Sequence, residues 1–309
     1  MTRPFRFAIQ TGPFTDPAEL RSFAQNVEAL GYDELYSYDH VGMRGNLAVD
    51  PFIPLVVAAE ATSALRVGPL VLNNEFHQPA LLARTAVSVD QMTSGRLVLG
   101  LGTGYAQEEH DAIGLELRPP GPRVTRFGES LQVLRALLDD GACEFAGEHH
   151  RVSMETLGVR PVQARIPFLI GGHGKRVVTL AGQYADIFQF TGLTHAEDGT
   201  PGAGGFAPEQ IVQRSAWLDE AAGERSDDIE RSALVQITAI DHELPTTDEL
   251  VERLKQPAEA VEGTPFVLVG SLEQVIDKIE RLRDQFSISH YTVRDVEGFA
   301  PVVAALAGN

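Results

Sequence analysis

The chain has 309 residues, 43% of them apolar and 22% charged, which is an ordinary globular composition with enough length for a large buried core. Its formal charge is −18, from 43 acidic against 25 basic residues, which argues against a nucleic-acid partner that needs a basic surface. No apolar run approaches the ~20 residues of a membrane span, and Met1 to Gln10 lacks a signal-peptide core, so neither a membrane nor secretion is expected and a cytoplasmic location fits.

Short apolar runs alternate with helical patterns along the chain. Phe5 to Gln10 reads as a strand, and Asp16-Pro17-Ala18-Glu19 then gives an N-cap Asp, Pro at the first helical position and an early Glu. That helix runs to about Leu30 and stops at Gly31. Glu34 to Tyr38 is a second strand, about Pro51 to Thr62 its helix, and Arg66 to Leu72 a third strand. A helix from Pro79 to about Thr93 ends at Gly95, and Leu97 to Leu101 is the fourth strand. Thr125 to Leu138 is helical, and Glu144 to Gly147 with Arg151 to Ser153 is expected to pair as a hairpin outside the main sheet. In that hairpin His149 and His150 are expected to be exposed, and the single cysteine, Cys143, reads as a small apolar filler.

Pro167 to Ile170 is the fifth strand, Lys175 to Tyr184 a helix, and Ile187 to Phe190 the sixth strand. Thr191 to Phe206, rich in Gly, Thr and Pro, reads as a long mobile loop. Pro208 to Ala222 is helical, and Ser232 to Ile240 alternates as one strand. Thr246 to Glu249 and Ser271 to Gln274 have capping-box spacing, and His290 to Arg294 is a last strand before a short closing helix. About eight strand–helix units with no break in composition imply an α/β fold of the (β/α)8 TIM-barrel type. It is expected to be one domain over residues 1–309, with insertions after strands four and six. No G-x-G-x-x-G follows the first strand, which counts against an open dinucleotide-binding sheet.

In such a barrel chemistry sits where strands end. Strand two ends in Tyr38-Asp39-His40, where a His beside an Asp can exchange a proton near pH 7; alternatively Asp39 caps the turn and His40 is surface. Strand four ends in Gly102-Thr103-Gly104-Tyr105, whose glycines either admit a planar ring or serve a tight turn. Strand five ends in Gly171-Gly172-His173-Gly174-Lys175-Arg176, a glycine turn opening a helix. It offers backbone N–H groups and two cations to a phosphate, unless the basic pair is simply solvated. No H-x-x-x-H or H-x-H spacing is present, so no metal site is expected.

Phe76 to Arg84 with Val89 to Gly104, and Pro161 to Gln163 with Ile170 to Gly174 and Ala181 to Asp186, together resemble the signature of the bacterial-luciferase-like monooxygenase superfamily. Asp39-His40 looks like the branch that uses the deazaflavin coenzyme F-420, with flavin mononucleotide (FMN) as the alternative cofactor. The resemblance implies an oxidoreductase that is a homodimer acting on a small-molecule substrate. It implies a non-prolyl cis peptide near Leu70-Val71 behind the cofactor ring, with Gly102 to Gly104 flanking the ring. Gly171 to Arg176 would hold the phosphate, and the 191–206 loop would cover substrate. Hydride transfer would use His40, oriented by Asp39. Dehydrogenases of the deazaflavin branch carry a Glu after the strand-four glycines, where this chain has Tyr105. Glu108 and Glu109 lie a helical turn further on and are not expected to reach, so the expectation is a reductase, or an enzyme with Tyr105 as proton donor. An FMN-dependent monooxygenase and a non-catalytic deazaflavin carrier are the rival readings.

Overall fold

The computed structural model describes residues 3–42, 49–195 and 201–309. Its first half runs β1 (Arg6–Gln10), α1 (Pro17–Ala29), β2 (Glu34–Ser37), α2 (Ile53–Glu60), β3 (Arg66–Pro69), β4 (Leu72–Asn73), α3 (Pro79–Met92) and β5 (Leu99–Gly102). Helices α4 (Gln107–Ile113) and α5 (Pro120–Arg135) follow, then the antiparallel hairpin β6 (Cys143–Ala146) and β7 (Arg151–Met154). The second half runs β8 (Phe168–Gly171), α6 (Lys175–Tyr184), β9 (Ile187–Thr191), β10 (Thr194–His195), β11 (Pro201–Gly202) and α7 (Pro208–Ala222). It ends with β12 (Glu230–Leu234), β13 (Ile237–Ile240), α8 (Thr247–Leu254), α9 (Ala258–Gly263), β14 (Val267–Gly270), α10 (Leu272–Phe286), β15 (Ile288–Val293) and α11 (Val296–Leu306).

The main sheet is parallel, in the order β3-β2-β1-β15-β12-β9-β8-β5-β4. Its two end strands are consecutive pieces of one run, separated by a cis peptide between Leu70 and Val71, where the resemblance puts it. A bridge from Val67 to Leu97 joins β3 to the start of the β5 run, so the sheet closes into the expected (β/α)8 barrel. The helices start where the sequence marks them. Asp16 accepts the Ala18 N–H at the head of α1, and Thr246 and Ser271 form complete capping boxes with Glu249 and Gln274.

Alternation along each strand makes two cores. Phe7, Ile9 and Leu35 point outward under the helices, whereas Ala8, Tyr36, Leu70, Val98, Leu169 and Ile187 fill the barrel. Inward residues stack in layers. The layer at the strand starts holds Arg6, Glu34, Arg66, Glu230 and His290, with Arg6 paired to both Glu34 and Glu230. Above it Gln189 donates to Ser232 and Thr292. At the C-terminal mouth Gln10 donates to the Leu70 carbonyl (2.9 Å) and accepts from Arg294 (3.0 Å).

Three expectations are corrected. The Ser232–Ile240 run is two strands: at Val235–Gln236 the chain leaves the barrel, and β13 pairs with β14 in a separate two-stranded sheet. This makes a further insertion after strand seven. His150 is buried, its Nε2 3.0 Å from Ser130 Oγ on α5. The 191–206 loop contains the β10–β11 pair, and its base is held by Arg214, which donates to the Thr191 and Gly205 carbonyls. Residues 196–200 of that expectation lie outside the described residues. Among the described residues no helix is long and apolar enough to cross a membrane.

Candidate active site

The strand ends bring His40, Tyr38, Tyr105 and Glu109 together. The ring of His40 lies 5.3 Å from that of Tyr38 and 6.2 Å, edge-on, from that of Tyr105. Its Nδ1 is 2.9 Å from Glu109 Oε1, and the same oxygen accepts the Val41 N–H at 2.8 Å. A carboxylate only accepts, so it fixes the His40 proton on Nδ1 and leaves Nε2 to take or give a proton. Glu109 is 2% exposed, sealed on α4, while the His40 side chain keeps 23% of its surface open. Burial and the Glu109 charge push the Tyr105 phenol up, which makes it a poor proton donor near neutral pH.

Two expectations about this cluster are overturned. Glu109 does reach the site, because residues 107–113 form a helix that turns its first-turn carboxylate back onto the end of β2. Asp39 does not orient His40. Its Oδ2 accepts the Asn73 N–H (2.9 Å) and meets His77 Nε2 (3.1 Å), tying the end of β2 to the segment after the cis peptide. The orienting carboxylate is Glu109. Its signal was in the sequence: Glu108-Glu109 in a first turn and Gly114 as a left-handed stop after Ile113.

The strand-four glycines are required by the neighbouring strand. A Cβ at Gly102 would stand 2.6 Å from Val71 Cγ2, and one at Gly104 (φ +74) 2.0 Å from Asn73 Oδ1. Thr103 between them is partly buried, its hydroxyl 3.5 Å from the Gly104 carbonyl. Leu70 and Val71 pack with the barrel-interior cluster directly beside them.

At β8 the arrangement suits an anion in part. Gly174 caps α6 with no side-chain hydrogen bond, so the first N–H groups of α6 have no side-chain cap. A Cβ on Gly174 would meet nothing within 4 Å, and one on Gly171 only a carbonyl at 3.9 Å, which leaves room for a group to approach the backbone. Gly172 instead packs on Val177, where a Cβ would come within 2.6 Å. His173 and Lys175 are exposed. Arg176 is committed elsewhere: it donates to the Gly121 carbonyl (3.0 Å) and Thr125 Oγ1 (2.9 Å) on α5. Sequence reasoning missed Gln10, Asn73, His77, Glu109, His110 and Arg294, each of which is placed by partners distant in the chain.

Residues 2–201 match the luciferase-like monooxygenase family. The 5,10-methylenetetrahydromethanopterin reductase of Archaeoglobus fulgidus is 28% identical over 181 residues, covering 59% of this chain and 51% of that protein. The F420-dependent glucose-6-phosphate dehydrogenase of Microbacterium testaceum is 30% identical over 191 residues, covering 60% of this chain and 56% of the relative. The chain thus spans about half the length of these two relatives, at 51% and 56%. The solved coenzyme F420 dependent tetrahydromethanopterin reductase of Methanopyrus kandleri superposes with a TM-score of 0.73 at 21% identity, over 99% of this chain and 98% of that one.

Proposed function

The chain belongs to the luciferase-like monooxygenase family, and from that premise we propose that it transfers a hydride between the deazaflavin coenzyme F420 and a small organic substrate. The observation that carries this reading is the buried Glu109 holding His40 Nδ1 at the barrel mouth, close to the split strand with the Leu70–Val71 cis peptide. In this reading Leu70 and Val71 back the cofactor ring and Gly102 to Gly104 lie at its edge. The backbone of Gly171 to Lys175 at the head of α6 takes the phosphate, with Lys175 supplying charge. Arg176 supports α5 and contributes no direct contact. When bound, the deazaflavin supplies or accepts the hydride.

The protein's own part is proton handling and positioning. Glu109 keeps the His40 proton on Nδ1, so Nε2 accepts a proton from an alcohol or, once protonated, returns one to a carbonyl. Glu109 within reach of His40 removes the ground for preferring a reductase, since one pair serves either direction by microscopic reversibility. Gln10, held by Arg294, fixes the Leu70 carbonyl and with it the floor of the mouth.

The test is a fluorescence titration of the purified protein with F420 and, separately, with FMN. Quenching that saturates at micromolar or lower F420, with weaker FMN binding, supports the reading. Preference for FMN would overturn it in favour of a flavin monooxygenase that activates oxygen.

A further inference from the structure

Asn73, at the end of β4, faces three ways. Its backbone N–H donates to Asp39 Oδ2 (2.9 Å), its Oδ1 accepts the Glu75 N–H (3.0 Å), and its Nδ2 lies 3.2 Å from His110 Nε2. Both Asn73 and His110 are buried. Asp39 and His110 are the chain neighbours of His40 and Glu109. Two bridges therefore run side by side from the end of β2 to α4. One is His40 to Glu109; the other is Asp39 to Asn73 to His110.

The chemistry of the second bridge is determined by its end groups. The Asn73 Oδ1 already accepts an N–H, so Nδ2 is the atom facing His110 and must donate. His110 Nε2 is then an acceptor, its proton sits on Nδ1, and the ring is neutral. Burial holds His110 below its ordinary value. The Glu75 and Glu109 carboxylates oppose this, and Arg123 reinforces it. The loop from β5 into α4 also rests on this amide, since Gly104 closes against Asn73 so tightly that a Cβ would overlap Oδ1.

We infer that Asn73 is a positioning residue, which holds Asp39 and His110 in place and through them sets the reach between His40 Nδ1 and Glu109. The inference rests on His40 and Glu109 being the working pair of the proposed function, but its readout needs neither cofactor nor substrate. A residue that only stabilised the fold would change the melting temperature and leave the His40 proton where it is.

The experiment is 15N NMR of the imidazole nitrogens in cofactor-free protein at a pH where the rings are neutral, with the His40 signals assigned by their loss in His40→Gln. The wild type is expected to carry the His40 proton on Nδ1. In Asn73→Ala and His110→Leu the signals move toward the Nε2–H form that free imidazole favours. His110→Gln, whose amide oxygen can accept from Asn73, keeps the wild-type signals. The inference is overturned if the wild type lacks the Nδ1–H form, or if folded Asn73→Ala or His110→Leu retains it in full. Should Asn73→Ala fail to fold, the two His110 variants decide. If the wild type binds no F420 while the variants still show the tautomer shift, the proposed function is overturned and the positioning role stands.

Discussion

Two histidine–glutamate pairs stand at opposite ends of the barrel, with nearly the same contact distance. At the mouth His40 Nδ1 lies 2.9 Å from Glu109, with 23% of the His side chain open. At the base His290 Nε2 lies 2.8 Å from Glu34, and both side chains are fully enclosed. The surroundings differ more than the distances. Glu34 is also met by Arg6 and Arg66, and Arg6 reaches Glu230, so the lower pair belongs to a charge-balanced layer that ties five strands together. Glu109 is met by the Val41 N–H and His40 and lies beside Tyr105. Contact distance alone does not mark a reactive pair; access and the balance of nearby charge do.

The comparison is most exposed to failure at its base. Glu34→Ala leaves the half-buried Arg6 and Arg66 without their shared, fully buried counter-ion, though Arg6 keeps Glu230, and is expected to cost about 3 kcal/mol in urea unfolding, the low end for breaking a buried pair. If that variant keeps wild-type stability, the lower layer is not structural as described. At the mouth, His40→Ala is expected to lower turnover by roughly 10²–10⁴-fold, the range of general acid–base catalysis, while deazaflavin affinity and melting temperature change little. Equal losses of affinity and turnover would instead make His40 a binding residue.

A smaller effect concerns the β6–β7 hairpin, which lies outside both pairs. Burial, with Arg126 close by, pushes His150 down to about 4. The folded protein therefore binds fewer protons here than the unfolded chain, so the contribution to stability is whole above about pH 6.5 and falls as pH drops toward 4. Burial would raise the Glu129 carboxyl, but the N–H groups of His149, Glu148 and His150 outweigh it and hold it below its ordinary value. Its contribution is lost at still lower pH. Melting curves from pH 7 to pH 4.5 should show a decline that His150→Gln makes shallower; parallel declines would contradict the assignment. Smallest is Arg176→Ala, expected to cost about 0.5–1 kcal/mol through lost contacts to α5. F420 affinity should hold in this variant and weaken in Lys175→Ala. The opposite ranking would return Arg176 to the phosphate site.

The barrel was legible because its signals are local. Asp16-Pro17, Gly95 and the two capping boxes each announce a boundary within a few residues. Ser232 to Ile240 misled because alternation continues smoothly through Val235–Gln236, while the departure from the barrel is decided by Phe266, whose carbonyl accepts both the Gln236 and Ile237 N–H groups. The site was legible only in part. His40 stood out by its position at a strand end, but its partner Glu109 is 69 residues away in sequence, and Asp39 finds His77 across 38. Such pairings follow from the closed sheet and the placement of α4, which no local spacing encodes. The packing of the strand-four glycines was not legible for a related reason: the atoms that exclude a Cβ at Gly102 and Gly104 belong to Val71 and Asn73 in the adjoining segment.

The central claim is that the mouth pair performs proton transfer alongside a deazaflavin. The most direct test mixes the protein with reduced F420 and a panel of carbonyl compounds, and with oxidised F420 and the matching alcohols, while following the cofactor's absorbance. The account predicts that the redox state changes with at least one substrate class in the wild type, and that the change is lost in His40→Ala and Glu109→Gln. Tight binding with no redox change across the panel, identical in the two variants, would contradict it and leave a carrier of the cofactor.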